Sequence, residues 1–323
     1  MHLPSRREIL FTATAGLAGN LGVRLLGAGD GFEPQVAQVP ELAGQLGMVT
    51  ASFSPHISER NTGGRIRLVD FPRMLREELD LTVIDFNTMN FPSLAPAYAE
   101  ELRARVEESG CVATNLKMNQ KVDMASKDPS ERAEAMRQYR QSIDAAKILG
   151  CRWVRPLPRS ERPDSGRMKS ALDELIDYAG ERGITVLLEN FGWAMEEADA
   201  ILRLADVVGP ERIALGPDTG NWISDEVRFR GLELTFPRAV TCDFKAKVLG
   251  PHGEHDAYNL RRCFEIGWEA GFRGPWCFEY GHADFGKAKE GVAFLRDSLR
   301  EWMKRGQYNV SNQERVLVHQ RQA

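Results

Sequence analysis

The sequence has little cysteine, little histidine and almost no net charge. Its 323 residues include five cysteines and six histidines, and the formal net charge is −4. The cysteines are odd in number and form no C-x-x-C pair, so the sequence predicts neither a disulfide framework nor a thiolate metal site. The sequence lacks the excess of positive charge that is typical of proteins that bind nucleic acid or an anionic membrane surface.

Long apolar runs and phosphate-binding loops are also absent. No apolar run approaches the roughly 20 residues that a membrane-spanning helix needs, which argues against a membrane span. The first predicted strand is followed by Ser52-Phe53-Ser54-Pro55-His56 instead of a glycine-rich loop. An open dinucleotide-binding sheet therefore lacks its key feature.

The first residues resemble a twin-arginine export signal. Ser5-Arg6-Arg7-Glu8 precedes a mildly apolar stretch over residues 11–22, and export signals of this kind combine these two features. The alternative is an amphipathic N-terminus without a targeting role, since no A-x-A cleavage site follows. We predict that residues 1–40 are an export signal and linker, which would make the protein periplasmic; otherwise it would be cytoplasmic.

Eight short apolar runs recur along the chain, and a segment of helical periodicity follows each one. Their starts lie about 27 to 40 residues apart, the length of a strand, a helix and two loops. The pattern predicts an α/β fold, a single-domain (β/α)8 TIM barrel over residues 41–306, followed by a polar C-terminal tail over residues 307–323. The runs are Leu46–Phe53, Leu81–Phe86, Cys111–Leu116, Cys151–Leu157, Ile184–Glu189, Ile213–Asp218, Val240–Lys245 and Pro275–Tyr280.

Glycines mark the expected ends of helices, where left-handed backbone is needed. Those that follow helical segments are Gly110, Gly150, Gly183 and Gly306.

Four successive predicted strands end in a carboxylate: Glu189, Asp218, Asp243 and Glu279. Active sites of parallel barrels lie at the carboxyl ends of the strands, so we expect these side chains to converge. Four converging carboxylates cannot all stay ionised without a cation, and a hard divalent ion such as Mn²⁺ or Mg²⁺ prefers oxygen ligands. The alternative is four separate ion pairs with neighbouring Lys and Arg.

The alternation of side chains along the seventh run bears on this site. If Val240, Cys242 and Phe244 face the helices, Asp243 and Lys245 face the barrel interior together.

Three passages of the second half resemble the xylose-isomerase-like barrel superfamily, which contains sugar isomerases, epimerases and endonuclease IV-like proteins. They are Val186-Leu187-Leu188-Glu189-Asn190, Pro217-Asp218-Thr219-Gly220-Asn221 and the stretch from Gly271 to Tyr280, which reads Gly-Phe-Arg-Gly-Pro-Trp-Cys-Phe-Glu-Tyr. The resemblance implies that Glu189 and Glu279 bind a metal and act as acid and base, and that Asp218 is a further metal ligand.

The sequence departs from the family pattern at two positions. Asp243, two residues before Lys245, stands where the family usually has His, and Asn221 stands where it often has another His. Asp243 as a ligand would give an all-oxygen site that disfavours Zn²⁺. Alternatively, Asp243 pairs with Lys245 and metal binding is weak.

The resemblance implies a metal-dependent isomerase or epimerase of a small sugar or polyol-derived keto compound, which removes a proton next to a carbonyl. The alternatives are a lyase or hydratase on a keto-sugar or ketoglycoside, and an exported barrel that binds sugar without catalysis. An endonuclease relative would need several His ligands and a basic face, which the sequence lacks. The sequence leaves the oligomeric state open, a homo-oligomer included.

The substrate-binding set that we predict is Arg155, Asn221, Lys245, His282 and Trp193. Arg155 ends the fourth run and either binds a substrate or forms an ion pair. Trp193 stacks on a sugar or packs in the core, and His282 reaches the site or is an inert loop residue. Further rim or loop candidates from the second and third runs are Asp85, Asn87, Asn115, Lys117 and Asn119.

Overall fold

Eight parallel strands form the centre of the fold. The computed structural model describes residues 39–157 and 162–322, with side chains as far as residue 306. The strands are β1 (Leu46–Val49), β2 (Val83–Asn87), β3 (Val112–Met118), β4 (Trp153–Pro156), β5 (Thr185–Leu188), β6 (Ile213–Leu215), β7 (Cys242–Lys245) and β8 (Trp276–Glu279). Each lies within one of the predicted runs or overlaps it by most of its length.

The sheet closes on itself. Its strand order is β6-β5-β4-β3-β2-β1-β8-β7, and isolated parallel bridges join Leu215 to Ala239 and Asp218 to Asp243. These bridges connect the two outer strands, so all eight strands surround one interior. The predicted (β/α)8 barrel is confirmed.

Eight α-helices alternate with the strands. They are α1 (Phe71–Leu79), α2 (Pro96–Glu108), α3 (Pro129–Leu149), α4 (Ser165–Gly180), α5 (Ala200–Val208), α6 (Asp225–Thr235), α7 (Leu260–Glu269) and α8 (Phe285–Gln322). Asp128, Asp164, Ser224 and Asn259 cap the first turns of α3, α4, α6 and α7 by accepting hydrogen bonds from backbone N–H groups. Within the described ranges, no helix is long and apolar enough to cross a membrane.

Three of the four glycines predicted to follow helices have left-handed backbone: Gly110, Gly150 and Gly183. The prediction for Gly306 is wrong, because α8 continues past it to Gln322. A Cβ at Gly306 would lie 2.5 Å from Nε1 of Trp268, so this glycine allows close packing against the Trp268 ring. The predicted export signal lies outside the described residues, and the side chains of the predicted tail lie outside them as well.

The hydrophobic core of the barrel has two layers. One lies between the strands and the helices, and it contains Cys242 and Phe244 as predicted. The other lies inside the barrel; Val240 belongs to it, so the prediction that Val240 faces the helices is wrong. Because β7 begins only at Cys242, the alternation of the strand does not extend back to Val240. All five cysteines are buried and free.

The aromatic cluster around Trp276 anchors β8 to the helices. The Trp276 ring centroid lies 4.9 Å from that of Phe272, 5.3 Å from that of Phe264 and 5.6 Å from that of Phe236. Such ring pairs contribute beyond the apolar area that they bury.

We expect Trp276→Ala to lower the free energy of unfolding by about 3–5 kcal/mol, because it leaves a cavity in a fully buried cluster. Urea unfolding measures this change. The control is Val248→Ala, at a side chain that is 75% exposed, where we expect a change within about 0.5 kcal/mol. Equal losses in the two variants would contradict this account of the core.

Candidate active site

Three carboxylates meet at the carboxyl ends of the strands. Glu189 directly follows β5, Asp243 lies in β7, and Asp218 forms a bridge with Asp243. Carboxylate oxygens of these residues all lie within 4.8 Å of one another. Their side chains are at most 3% exposed, so the predicted convergence is present for these three residues. We call them the acidic cluster.

Glu279 stands beside the acidic cluster. It ends β8 as predicted, yet the group of potential metal ligands found among the described residues does not include it. Its side chain is 24% exposed and accepts a hydrogen bond of 2.6 Å from Nζ of Lys245. Glu279 is therefore the carboxylate of the four that is most open to solvent.

Lys117, on β3, bridges two members of the acidic cluster. Its Nζ donates to Oε2 of Glu189 at 2.8 Å and also donates to Oδ2 of Asp243. The neighbouring residues Leu116 and Met118 belong to the helix-facing core, so alternation directs Lys117 into the barrel. The lysine is 1% exposed, and its buried charge depends on these two partners.

Two further cations complete the site. Nε of Arg155 lies 2.9 Å from Oε2 of Glu189, and its Nη1 donates to Oδ1 of Asn119 at 2.8 Å. Lys245 reaches Glu279, lies 3.5 Å from Oδ2 of Asp218, and donates to Oδ1 of Asn221 at 3.1 Å. Each of the four carboxylates at this end of the barrel thus contacts at least one of three cationic side chains.

Asn190 fixes the loop that carries Asp218. Its Nδ2 donates to the backbone oxygens of Asp218 at 3.0 Å and Asn221 at 2.8 Å, and its Oδ1 accepts from the Asp218 N–H at 2.8 Å. A Cβ at Gly220 would lie 2.7 Å from Cδ of Lys245, so only glycine leaves room for Lys245 to pass this loop.

The two oxygens of Asp218 have different surroundings. Oδ1 accepts hydrogen bonds from the backbone N–H groups of Gly220 at 2.6 Å and Asn221 at 3.0 Å. Oδ2 is buried and accepts no hydrogen bond. A buried carboxylate oxygen that accepts no hydrogen bond is costly, and the nearby ammonium of Lys245, 3.5 Å away, offsets part of that cost.

Burial and the neighbouring charges set the pKa values of the cluster. Burial alone would raise the pKa of Glu189, but Arg155 and Lys117 lower it to about 2. Burial raises the pKa of Asp218 to about 7 against the effect of Lys245, with Glu279 and Glu189 adding to the rise. Burial also raises the pKa of Asp243 well above its usual range, although Lys117 opposes the change. Glu189 therefore carries the firmly held negative charge.

A divalent ion fits the donor chemistry of the acidic cluster. The cluster offers oxygen atoms only, as Mn²⁺ and Mg²⁺ prefer, and Oδ2 of Asp218 lacks a donor. The cluster could therefore bind a metal, provided that the ammonium group of Lys117 leaves the oxygens that it now contacts.

The pairing of Asp243 with Lys245, which was the alternative to a metal-ligand role for Asp243, is wrong. Asp243 contacts Lys117, whereas Lys245 contacts Glu279 and Asp218. Sequence alternation places both residues inside the barrel, but successive inward positions of one strand lie at different depths. Lys245 lies nearer the mouth, where Glu279 is.

The other predicted binding residues are placed differently. Arg155 forms the ion pair that was the alternative to substrate binding, and Nδ2 of Asn221 donates to Oε1 of Glu189 at 3.3 Å. Trp193 is half-buried and lies 5.8 Å from the Arg162 guanidinium. His282 lines a separate cavity of about 510 Å³ together with Tyr280 and Glu290. No contact between the acidic cluster and Trp193 or His282 is seen in the described part of the chain.

Sequence reasoning missed the importance of Lys117. It grouped Lys117 with Asp85, Asn87, Asn115 and Asn119 as rim or loop candidates. Asp85, Asn87, Asn115 and Lys117 are at most 1% exposed, so they are interior residues. The sequence did contain a signal for this role: Lys117 lies at an inward position of β3, and four acids end other strands of the same barrel.

Comparisons with known proteins agree with the barrel fold. A family model described as xylose isomerase-like TIM barrel matches residues 77–298. No curated protein matches the sequence.

Three solved structures share the fold. D-allulose 3-epimerase from Methylomonas sp. is 16% identical, with a TM-score of 0.61 over 81% of this chain and 98% of that one. The IOLI protein with a bound zinc atom is 16% identical, with a TM-score of 0.62 over 81% of this chain and 98% of that one. The 3-keto-D-glucoside 4-epimerase from E. coli is 15% identical, with a TM-score of 0.61 over 78% of this chain and 99% of that one.

We expect Asp218 to make the metal-free protein less stable as the pH rises from about 4 to 7. The folded protein keeps the Asp218 proton up to about pH 7, whereas the unfolded chain loses it near 3.8. Because the folded state binds the extra proton in this range, the free energy of unfolding falls as the pH rises. From pH 4 to 7, the free energy of unfolding of the wild type should fall by roughly 3 kcal/mol relative to that of Asp218→Asn.

Urea unfolding of chelator-treated protein at several pH values measures this difference. Asp256→Asn, at an exposed position, is the control and should follow the wild type. A wild-type minus Asp218→Asn difference that does not change with pH would refute the raised pKa.

Proposed function

Because the chain belongs to the xylose isomerase-like TIM barrel family, we propose that it is a metal-dependent isomerase or epimerase. Its substrate is a small sugar or a polyol-derived keto compound. The observation that carries this proposal is the acidic cluster: three buried carboxylates within 4.8 Å, beside the more exposed Glu279. Such a grouping suits a divalent ion together with a carboxylate that exchanges protons.

Glu189, Asp218, Asp243 and Glu279 would hold the ion. The donors are all oxygen atoms, which favours Mn²⁺ or Mg²⁺ over Zn²⁺, although the IOLI structure contains zinc. When bound, the ion supplies Lewis acidity that polarises the substrate carbonyl.

Glu279 is the group that removes the proton from the carbon next to the carbonyl. Its side chain is 24% exposed, against 3% for Glu189, so it meets the substrate at the mouth of the barrel. The C–H electron pair moves into the substrate and leaves an enediolate, and the proton goes to the carboxylate of Glu279. Lys245, whose Nζ lies 2.6 Å from Oε1 of Glu279, holds the carboxylate of this base in position before the transfer.

Glu189 is the second proton-transfer group. Arg155 and Lys117 hold its ionised form in the protein without an ion, so it accepts and returns a proton only after these contacts loosen. Return of the proton from Glu279 to the neighbouring carbon gives isomerisation. For epimerisation, Glu189 takes a proton from a substrate hydroxyl group and delivers it to the opposite face of the carbon, while Glu279 returns its own proton to the oxygen.

Asn221 and Lys245 line the same site and would bind substrate hydroxyl groups, with Arg155 deeper inside. Within the described residues, Trp193 and His282 do not contact the acidic cluster, so they would meet the substrate only where it extends beyond the cluster.

Two observations support other functions. A 3-keto-D-glucoside 4-epimerase shares the fold, and loss of a β-substituent from the same enediolate would make the protein a lyase on a ketoglycoside. The ion pairs of Lys117 with Glu189 and Asp243 favour a sugar-binding barrel without catalysis.

We further propose export of the folded protein through the twin-arginine route, with residues 1–40 as signal and linker and residues 41–306 as the barrel. This route carries folded proteins, which suits a metal bound before export. An unphosphorylated sugar fits the absence of a glycine-rich phosphate loop from the sequence.

The experiment is proton exchange in D₂O with Mn²⁺ present, followed by NMR on D-allulose and on a 3-keto-D-glucoside. We expect deuterium on the carbon next to the carbonyl and no release of a second molecule. Glu279→Gln should lower the exchange rate by at least about 10²-fold, because a general base is lost.

Glu108→Gln, at an exposed position on α2, is the matched control and should exchange at the wild-type rate. Release of a second molecule would identify a lyase. Ligand binding without any deuterium uptake would overturn the catalytic proposal and favour the sugar-binding barrel.

A further inference from the structure

Lys117 occupies the part of the acidic cluster that a divalent ion needs. Its ammonium contacts Glu189 and Asp243, which are two of the three clustered carboxylates. Oε2 of Glu189 lies 2.8 Å from this ammonium. A divalent ion that bound the same oxygens at about 2.1 Å would lie within a few ångströms of a buried positive charge. The ion and the ammonium therefore compete for the same site.

A second acceptor for Lys117 lies deeper in the barrel. Asp85 is fully buried on β2, and its neighbours Ile84 and Phe86 belong to the helix-facing core, so Asp85 faces the interior. In the β2–β3 register Asp85 pairs with Asn115, and Asn87 pairs with Lys117. Asp85 thus lies one inward-facing position below Lys117 on the adjacent strand.

One oxygen of Asp85 is available. Oδ1 accepts a hydrogen bond of 2.6 Å from Oγ1 of Thr114, whereas Oδ2 is buried without a hydrogen-bond partner. Burial raises the pKa of Asp85, and the charge of Lys117 opposes this rise, as expected for groups that lie near each other. A long, flexible lysine side chain can reach a carboxylate on the adjacent strand at this diagonal position.

We propose that Lys117 is an exchangeable internal cation: it bridges Glu189 and Asp243 in the metal-free protein and moves to Oδ2 of Asp85 when a divalent ion binds. This inference rests on the proposed metal site. The metal-free protein keeps its buried carboxylates compensated without an ion, and the ion binds more weakly because it must displace the ammonium. Lys117 is therefore a positioning residue that sets metal affinity.

The test is calorimetric titration of chelator-treated protein with Mn²⁺. Lys117→Met removes the competing charge and keeps a long side chain, and we expect it to bind Mn²⁺ at least about 10-fold more tightly than the wild type. Lys121→Met, at an exposed lysine near the end of β3, should bind like the wild type. Without Mn²⁺, Lys117→Met should also melt at a lower temperature, and added Mn²⁺ should reverse that loss.

Asp85→Asn tests the second position of the lysine. In the wild-type background it should weaken Mn²⁺ binding, because the displaced ammonium loses its carboxylate partner. In the Lys117→Met background it should leave Mn²⁺ affinity unchanged, because no ammonium is displaced. This double-mutant cycle separates exchange between two carboxylates from a general effect of either substitution.

The outcomes distinguish this inference from the proposed function. Equal Mn²⁺ affinity in the wild type and Lys117→Met would overturn the inference and leave the metal site intact. No binding of Mn²⁺, Mg²⁺ or Zn²⁺ by any variant would overturn the metal site itself. If Lys117→Met does not fold, the single variant Asp85→Asn decides: weakened Mn²⁺ binding supports the exchange, and unchanged binding overturns it.

Discussion

Negative charge inside the mouth of the barrel must be compensated. Glu189, Asp218 and Asp243 lie within 4.8 Å of one another and are shielded from solvent. Bare carboxylates at such distances repel each other and lose the hydration that stabilises their charge. Lys117, Arg155 and Lys245 provide the compensation. These contacts hold the side chains of Glu189, Asp243 and Glu279.

The backbone around the site supports this arrangement. Parallel strands bring their carboxyl ends to one rim, and their alternation directs one residue in two into the interior. Asn190 holds the loop of Asp218 through three hydrogen bonds, and Gly220 leaves space for Lys245. These contacts leave Oδ2 of Asp218 as a buried oxygen that accepts no hydrogen bond, 3.5 Å from Nζ of Lys245.

The barrel was predictable because apolar runs recur at regular spacing along the sequence. The position of the four acids was predictable because each of them ends one of these runs. The acids that end these runs, Glu189 and Glu279 among them, could be assigned to the rim without knowledge of any contact. The partner of Asp243 could not be predicted, because alternation gives the side of a strand but not the depth that a long lysine reaches. Gly306 likewise resembles a helix end in sequence, and only the packed Trp268 ring shows its role.

The same limits apply to function. The proposed reaction is proton transfer next to a carbonyl, and in that proposal the lysine within the cluster would change how a metal is bound. In this proposal the carboxylates attract a divalent ion, and the ammonium of Lys117 repels it. A site of this kind stays folded and compensated when no ion is bound.

Diffraction from crystals grown with Mn²⁺, recorded where manganese scatters anomalously, would show whether an ion replaces Lys117 among the clustered carboxylates. We predict an anomalous peak contacted by Glu189, Asp218, Asp243 and Glu279, with Nζ of Lys117 turned away from Glu189 and Asp243. A structure in which Lys117 still bridges those two carboxylates, and no manganese lies among them, would contradict this prediction.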